Sequence, residues 1–284
     1  MPHLIADDGT RLLYEERGAG NPLVFVHEYG GDVRSWLPQV EAFAGSYRCI
    51  CYNARGYPPS DVPDDPERYS QERARDDLRS VLDALGIAAA HVVGLSMGAF
   101  AALHLALAYP ERARSITVAG IGYGAPPAVR EAFQAESRAN AELIARAGMA
   151  AFVEAYGHGP TRSQLGRKDP AAYEAHLAQF REHSALGSAN TMLGVQARRP
   201  SLFDLGDRLA RLPMPVLIVA GDEDEPSIEG SLFLRRQIPE AGLAMLPRSG
   251  HLLNLEEPRL FNQLLADFLA RVEDERDRGS TRGR

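Results

Sequence analysis

A serine, a histidine and a short acidic run carry the chemistry that this sequence could perform. Ser96 lies in Gly94-Leu95-Ser96-Met97-Gly98, with glycines two positions before and two after it. The apolar run His91-Val92-Val93 leads into this pentapeptide and an alanine-rich stretch through Tyr109 follows, which reads as strand, sharp turn and helix. A serine at such a turn must take a strained backbone conformation, and the chain tolerates it only where the flanking positions have almost no side chain. The Met97 amide then opens the helix beside the hydroxyl, where it could stabilise an oxyanion.

At neutral pH a serine hydroxyl is a weak nucleophile and needs a base to take its proton during attack. His251, in Arg248-Ser249-Gly250-His251 and followed by Leu252-Leu253, has the setting of such a base: a loop position whose apolar neighbours can anchor the ring. His3, His91, His104, His158, His176 and His183 fall in strands, helices or the central helical region, where a packing or surface role is expected. An acid must orient the imidazole and stabilise its charged form. The run Gly221-Asp222-Glu223-Asp224-Glu225 offers both Asp222 and Asp224.

The elements that must position these residues alternate between apolar strands and amphipathic helices. A hairpin from about Leu4 to Arg17 turns at Asp8-Gly9. Strands follow at Pro22–Val26, Tyr47–Tyr52, His91–Val93, Ser115–Ala119, Pro215–Ala220 and Leu243–Leu246, and helical periodicity runs between them, closing with a helix from Glu256 to Val272. Such alternation predicts an α/β fold, a mostly parallel twisted sheet with helices on both faces and ligands at the carboxyl ends of the strands. His27, Ser96 and the Gly120 loop all fall at such ends. Residues 1–124 and 206–272 read as the core domain. Residues 125–205 are helical without strands, too long for a connection, and are expected to form a lid hinged at Gly120-Ile121-Gly122-Tyr123-Gly124. Residues 273–284 are charged and poor in apolar side chains, the composition of a disordered tail.

The totals narrow the function classes. A chain of 284 residues with 45% hydrophobic content can bury a large core, and 31 basic against 38 acidic residues leave no basic stretch for a phosphate backbone, so nucleic acid is not an expected partner. No apolar run approaches membrane-spanning length and the first residues lack a charged-then-apolar leader, which makes the cytoplasm the expected location and excludes a membrane partner. Cys49 and Cys51 sit on one face of a strand as core residues, and no His or Cys cluster has metal-ligand spacing. Neither metal nor cofactor is expected, and a homo-oligomer is open.

Taken in order along the chain, the Gly94–Gly98 turn, the Gly221–Asp224 loop and Ser249-Gly250-His251 resemble the serine, acid and histidine of the α/β-hydrolase superfamily over nearly the full length of the sequence. The resemblance implies a cofactor-free serine hydrolase of small to medium carboxylic esters, working through an acyl-enzyme. It implies Ser96 as nucleophile, His251 as base and Asp224, three residues after the strand-ending glycine, as the acid, with Asp222 as runner-up. It also implies an oxyanion hole from the Met97 and Tyr29 amides. Relatives commonly have His-Gly where this chain has His27-Glu28. A carboxylate roughly 6 Å from a forming oxyanion would cost on the order of 3 kcal/mol at an effective dielectric near 20. Glu28 is therefore expected to turn away, or to be neutralised by a cation such as Arg55 or Arg34. A substrate pocket is expected among Glu28, Trp36, Tyr123, Phe133, Phe152, Tyr156 and Leu252; Arg198 and Arg199 could bind a substrate carboxylate, but solvated surface is the preferred reading.

The runner-up is a C–C bond hydrolase of ring-cleavage products or an enol-lactone hydrolase; those relatives commonly have a glycine at Ala99. A non-catalytic ligand-binding protein of this fold is the reading from another class.

Overall fold

The computed structural model describes the backbone of residues 2–282 and side chains as far as residue 278. Eight strands form one sheet: β1 (His3–Ile5), β2 (Arg11–Arg17), β3 (Asn21–Val26), β4 (Tyr47–Tyr52), β5 (Ala90–Leu95), β6 (Ala113–Ala119), β7 (Val216–Gly221) and β8 (Gly242–Leu246). Their order is β1-β2-β4-β3-β5-β6-β7-β8. The β1–β2 and β2–β4 pairs are antiparallel, and every pair from β4–β3 to β7–β8 is parallel.

Because successive side chains leave a strand on opposite faces, each strand feeds two cores. Val24, Val26, Ile50, Val92, Ile116, Val118 and Ile218 pack on one face against α2 (Gln71–Ala84), α3 (Met97–Ala108) and α9 (Glu225–Gln237). Leu23, Phe25, Cys49, Cys51, Val93, Leu95 and Val219 pack on the other against α1 (Leu37–Phe43) and α11 (Pro258–Arg282). Both cysteines are buried free thiols.

Between β6 and β7 the chain consists of helices joined by turns: α4 (Arg130–Tyr156), α5 (Gln164–Lys168), α6 (Pro170–Arg181), α7 (Ala185–Thr191) and the single turn α8 (Gly206–Leu209). In α4, Gly148 takes φ 76° and breaks the helix into two. Most of this insertion shares a third apolar cluster with Tyr29, Tyr57, Met97 and Leu252, residues that lie on loops at the carboxyl edge of the sheet or at the start of α3. Close approach is possible because Gly187 of α7 has no side chain; a Cβ there would lie 2.0 Å from the Gly56 carbonyl oxygen.

The closing helix departs from the expected boundaries. Past the single turn α10 (Leu253–Glu256), α11 continues beyond Val272 through Arg282, where composition suggested a disordered tail from residue 273. The anchor is Glu273, whose carboxylate accepts from Asn21 Nδ2 at 2.8 Å and pairs with buried His91 Nε2 at 2.5 Å. Residues 283 and 284 of that tail lie outside the described residues.

Candidate active site

Ser96 follows β5 directly and precedes α3, with φ 52° and ψ −111°. That positive φ is costly for a side-chain-bearing residue, and the surroundings show why it persists. A Cβ at Gly94 would lie 2.2 Å from the Gly98 carbonyl oxygen, and one at Gly98 would lie 2.1 Å from the Val26 carbonyl oxygen. The two glycines let β5, the turn and β3 close up, and the turn is pinned by the Ser96 amide donating to the Ala119 carbonyl at 2.8 Å.

His251 stands on the loop after β8. Its Nδ1–H donates to Asp224 Oδ2 at 2.7 Å, with both side chains essentially buried. A carboxylate can only accept, so the proton lies on Nδ1 and the Nε2 lone pair is free to take a proton. The ring lies against Gly120, where a Cβ would be 3.4 Å from His251 Nδ1 and Cε1, and Gly120 adjoins the residue that anchors Ser96. Asp222 has a different task, its Oδ1 accepting the Ser249 amide at 3.1 Å. The histidine loop is held from both sides. Glu256 accepts from the amides of Gly250 at 2.7 Å and Leu252 at 3.0 Å, and the Thr161 carbonyl accepts the His251 amide at 2.7 Å. Burial pushes Glu256 up to about 7, against the pull of those amides and of Lys168.

The loop after β3 lies beside the serine turn, since Gly98 abuts the Val26 and His27 carbonyls. His27 fixes it: Nε2 accepts the Ala54 amide at 3.0 Å, so Nδ1–H donates to the Glu28 carbonyl at 2.8 Å. Burial lowers His27 to about 4, which keeps this neutral tautomer. Met97 is the first residue of α3, so its amide has no acceptor within the helix. Among the described residues the Tyr29 amide likewise has no backbone acceptor.

Glu28 turns aside, but not toward the expected cations. Its Oε1 accepts from Ser35 Oγ at 3.1 Å and occupies the space a Cβ on Gly31 would need, while Oε2 has no partner. Arg55 is taken by Asp77 and Asp8, and Arg34 by Asp32 and Glu182. Burial pushes the Glu28 carboxyl up to about 7, with its own amide, Arg162 and Ser35 pulling the other way. Arg162 was not foreseen: it lies in the irregular run between α4 and α5, where no periodicity marks an inward residue. Glu256 was also missed, although it follows His251 by five residues.

The expected pocket residues divide. Tyr123 faces His251 with ring centroids 6.0 Å apart, and Tyr123, Phe133, Tyr156 and Met192 line a narrow cleft together with Glu136, Ser137, Asn140 and Gln196. Phe152 stacks on Tyr156 at 5.0 Å and meets Tyr29 edge-on at 6.1 Å, and buried Leu252 packs into the same cluster. Trp36 does not belong there. It packs under the sheet between Phe25 and Phe261, at 5.1 and 6.1 Å, because it shares the face of the α1 segment that covers the second core. Arg199 is not surface either: its guanidinium lies over the Phe100 ring at 3.9 Å and bonds Gln196 and the Tyr123 carbonyl, whereas Arg198 pairs with Glu67 at the surface.

A family profile described as alpha/beta hydrolase fold matches residues 21–258. The chain belongs to the α/β-hydrolase family. It is 32% identical to RutD of Azorhizobium caulinodans, named as a carbamate hydrolase, covering 96% of this chain and 100% of that one. It is 30% identical to a 2-hydroxy-6-oxononadienedioate/2-hydroxy-6-oxononatrienedioate hydrolase of Burkholderia vietnamiensis, covering 94% of each. Among solved structures, a thermophilic esterase from Thermogutta terrifontis superposes with a TM-score of 0.84 at 26% identity, covering 95% of this chain and 98% of that one. Among the described residues no group of three or more His, Cys, Asp or Glu could hold a metal, and no helix is long and apolar enough to cross a membrane.

Proposed function

We propose that this α/β hydrolase is a serine hydrolase of small to medium carboxylic esters. The observation that carries the proposal is a strained serine turn at one strand end beside a buried histidine whose Nδ1 is held at 2.7 Å by Asp224. In this mechanism His251 Nε2 takes the Ser96 proton as Oγ attacks the ester carbonyl, and Asp224 stabilises the imidazolium. The Met97 and Tyr29 amides receive the oxyanion, so negative charge develops against fixed dipoles in a site already shielded from water. His251 returns the proton to the leaving alcohol, and water activated by the same nitrogen releases the acid. Tyr123, Phe133 and Tyr156 form an aromatic wall on the acyl side of the site, and the helical insertion acts as the lid.

The test is labelling by a fluorophosphonate together with turnover of activated esters, lactones and ring-cleavage diketones side by side. Ser96→Ala is expected to abolish labelling and to lower ester turnover by roughly four to six orders of magnitude, because triad members act as a unit. A loss of only a few fold would reject Ser96 as nucleophile. The similarity to the Burkholderia vietnamiensis protein supports C–C hydrolysis as the second reading, and faster turnover of the diketones would select it.

A further inference from the structure

Arg162 is 5% exposed, yet among the described residues no carboxylate lies within ion-pairing distance of it. Its Nη2 donates to Tyr156 OH at 3.0 Å, its guanidinium lies 4.6 Å from the Tyr156 ring centroid, and Nη1 has no partner. Burying a guanidinium costs several kcal/mol, and an aromatic ring with one hydroxyl offsets only part of that. Nη1 is therefore a buried donor open to a ligand's acceptor.

Its placement says which ligand. The neighbouring Thr161 carbonyl holds the His251 amide, so the arginine is carried on the segment that grips the histidine loop. Tyr156, on which it rests, lies 5.8 Å from the Tyr29 ring and lines the pocket that Tyr123 shares. The Glu28 carboxyl, turned to Ser35, attracts the guanidinium from beyond ion-pairing distance and leaves Nη1 unpartnered.

Building on the ester-hydrolase reading, we propose that Arg162 with Tyr156 forms a carboxylate-binding subsite, and that the preferred substrates are half-esters of dicarboxylic acids, with the acyl chain ending in a carboxylate. A guanidinium binds such a group through charge-assisted hydrogen bonds, and Nη1 is the donor left for it.

The experiment compares mono-4-nitrophenyl glutarate with 4-nitrophenyl butyrate. Wild type is expected to favour the half-ester in kcat/KM, and Arg162→Met to lower the half-ester to neutral-ester ratio by about ten- to a hundredfold, the range for losing a hydrogen bond to a charged group. Arg162→Lys should retain part of the preference, since a point charge replaces the fork. An unchanged ratio, or equal loss on both esters, would overturn the subsite and leave Arg162 as a brace for Tyr156. Titration of monomethyl glutarate into Ser96→Ala reads the subsite without turnover. Binding weakened about tenfold or more by the added Arg162→Met supports it even if the hydrolase reading fails, and absence of binding to Ser96→Ala overturns it.

Discussion

Replacing Glu28 by glutamine should change the pH dependence of stability in a direction and amount fixed by burial. The carboxyl is fully buried, and its pKa is pushed from 4.5 up to about 7. Below the unfolded value both states hold the proton and the group contributes nothing. As pH rises from 4.5 toward 7 the unfolded chain ionises first, so folding loses stability, and above 7 the loss is complete. At 1.36 kcal/mol per unit, this amounts to about 1 kcal/mol at pH 5 and about 3 kcal/mol at pH 8.5. Glutamine keeps an oxygen for the Ser35 hydroxyl and removes the titration. Urea unfolding of both proteins at the two pH values is the assay. The stability difference between Glu28→Gln and wild type should move by about 2 kcal/mol in favour of the variant between pH 5 and 8.5. Glu256, which burial also raises to about 7, cancels in the subtraction. Parallel stability curves would refute the argument and show that Arg162 or trapped water compensates the charge in full.

Three further outcomes follow from the geometry. Asp224→Asn should lower kcat/KM on an activated ester by about four orders of magnitude through the wrong histidine tautomer, whereas Asp222→Asn, which only braces Ser249, should cost less than about tenfold; the reverse ranking would move the acid. Gly98→Ala should destabilise the fold by more than about 2 kcal/mol in denaturant unfolding, since its Cβ would meet the Val26 carbonyl oxygen at 2.1 Å, and an unaltered midpoint would contradict the close approach. Glu256→Gln turns an NH₂ group toward one of two amides and should lower kcat by about tenfold with little change in KM, and unchanged kcat would mean that Thr161 alone holds the histidine loop.

Much of this was local enough to be legible in the sequence. Strand and helix periods, the glycines around Ser96 and the order serine, acid, histidine are properties of short segments, and they predicted the α/β fold and brought Ser96, His251 and Asp224 to one sheet edge. Trp36 shows where such reasoning stops: periodicity says that a helix has an inner face, but not which of the sheet's two cores that face meets, and the packing of Phe25 and Phe261 decided it. Composition read Glu273 as tail, because a charged residue looks solvated until its partners Asn21 and His91, far away in sequence, come alongside. The neighbours of Glu28 were likewise beyond reach, since Ser35 and Arg162 are set by chain crossings and not by spacing. The sequence alone determined which residues could do chemistry and the order in which the fold presents them. Only the tertiary structure decided which charges are buried together, because desolvation and pairing depend on elements that meet from distant parts of the chain.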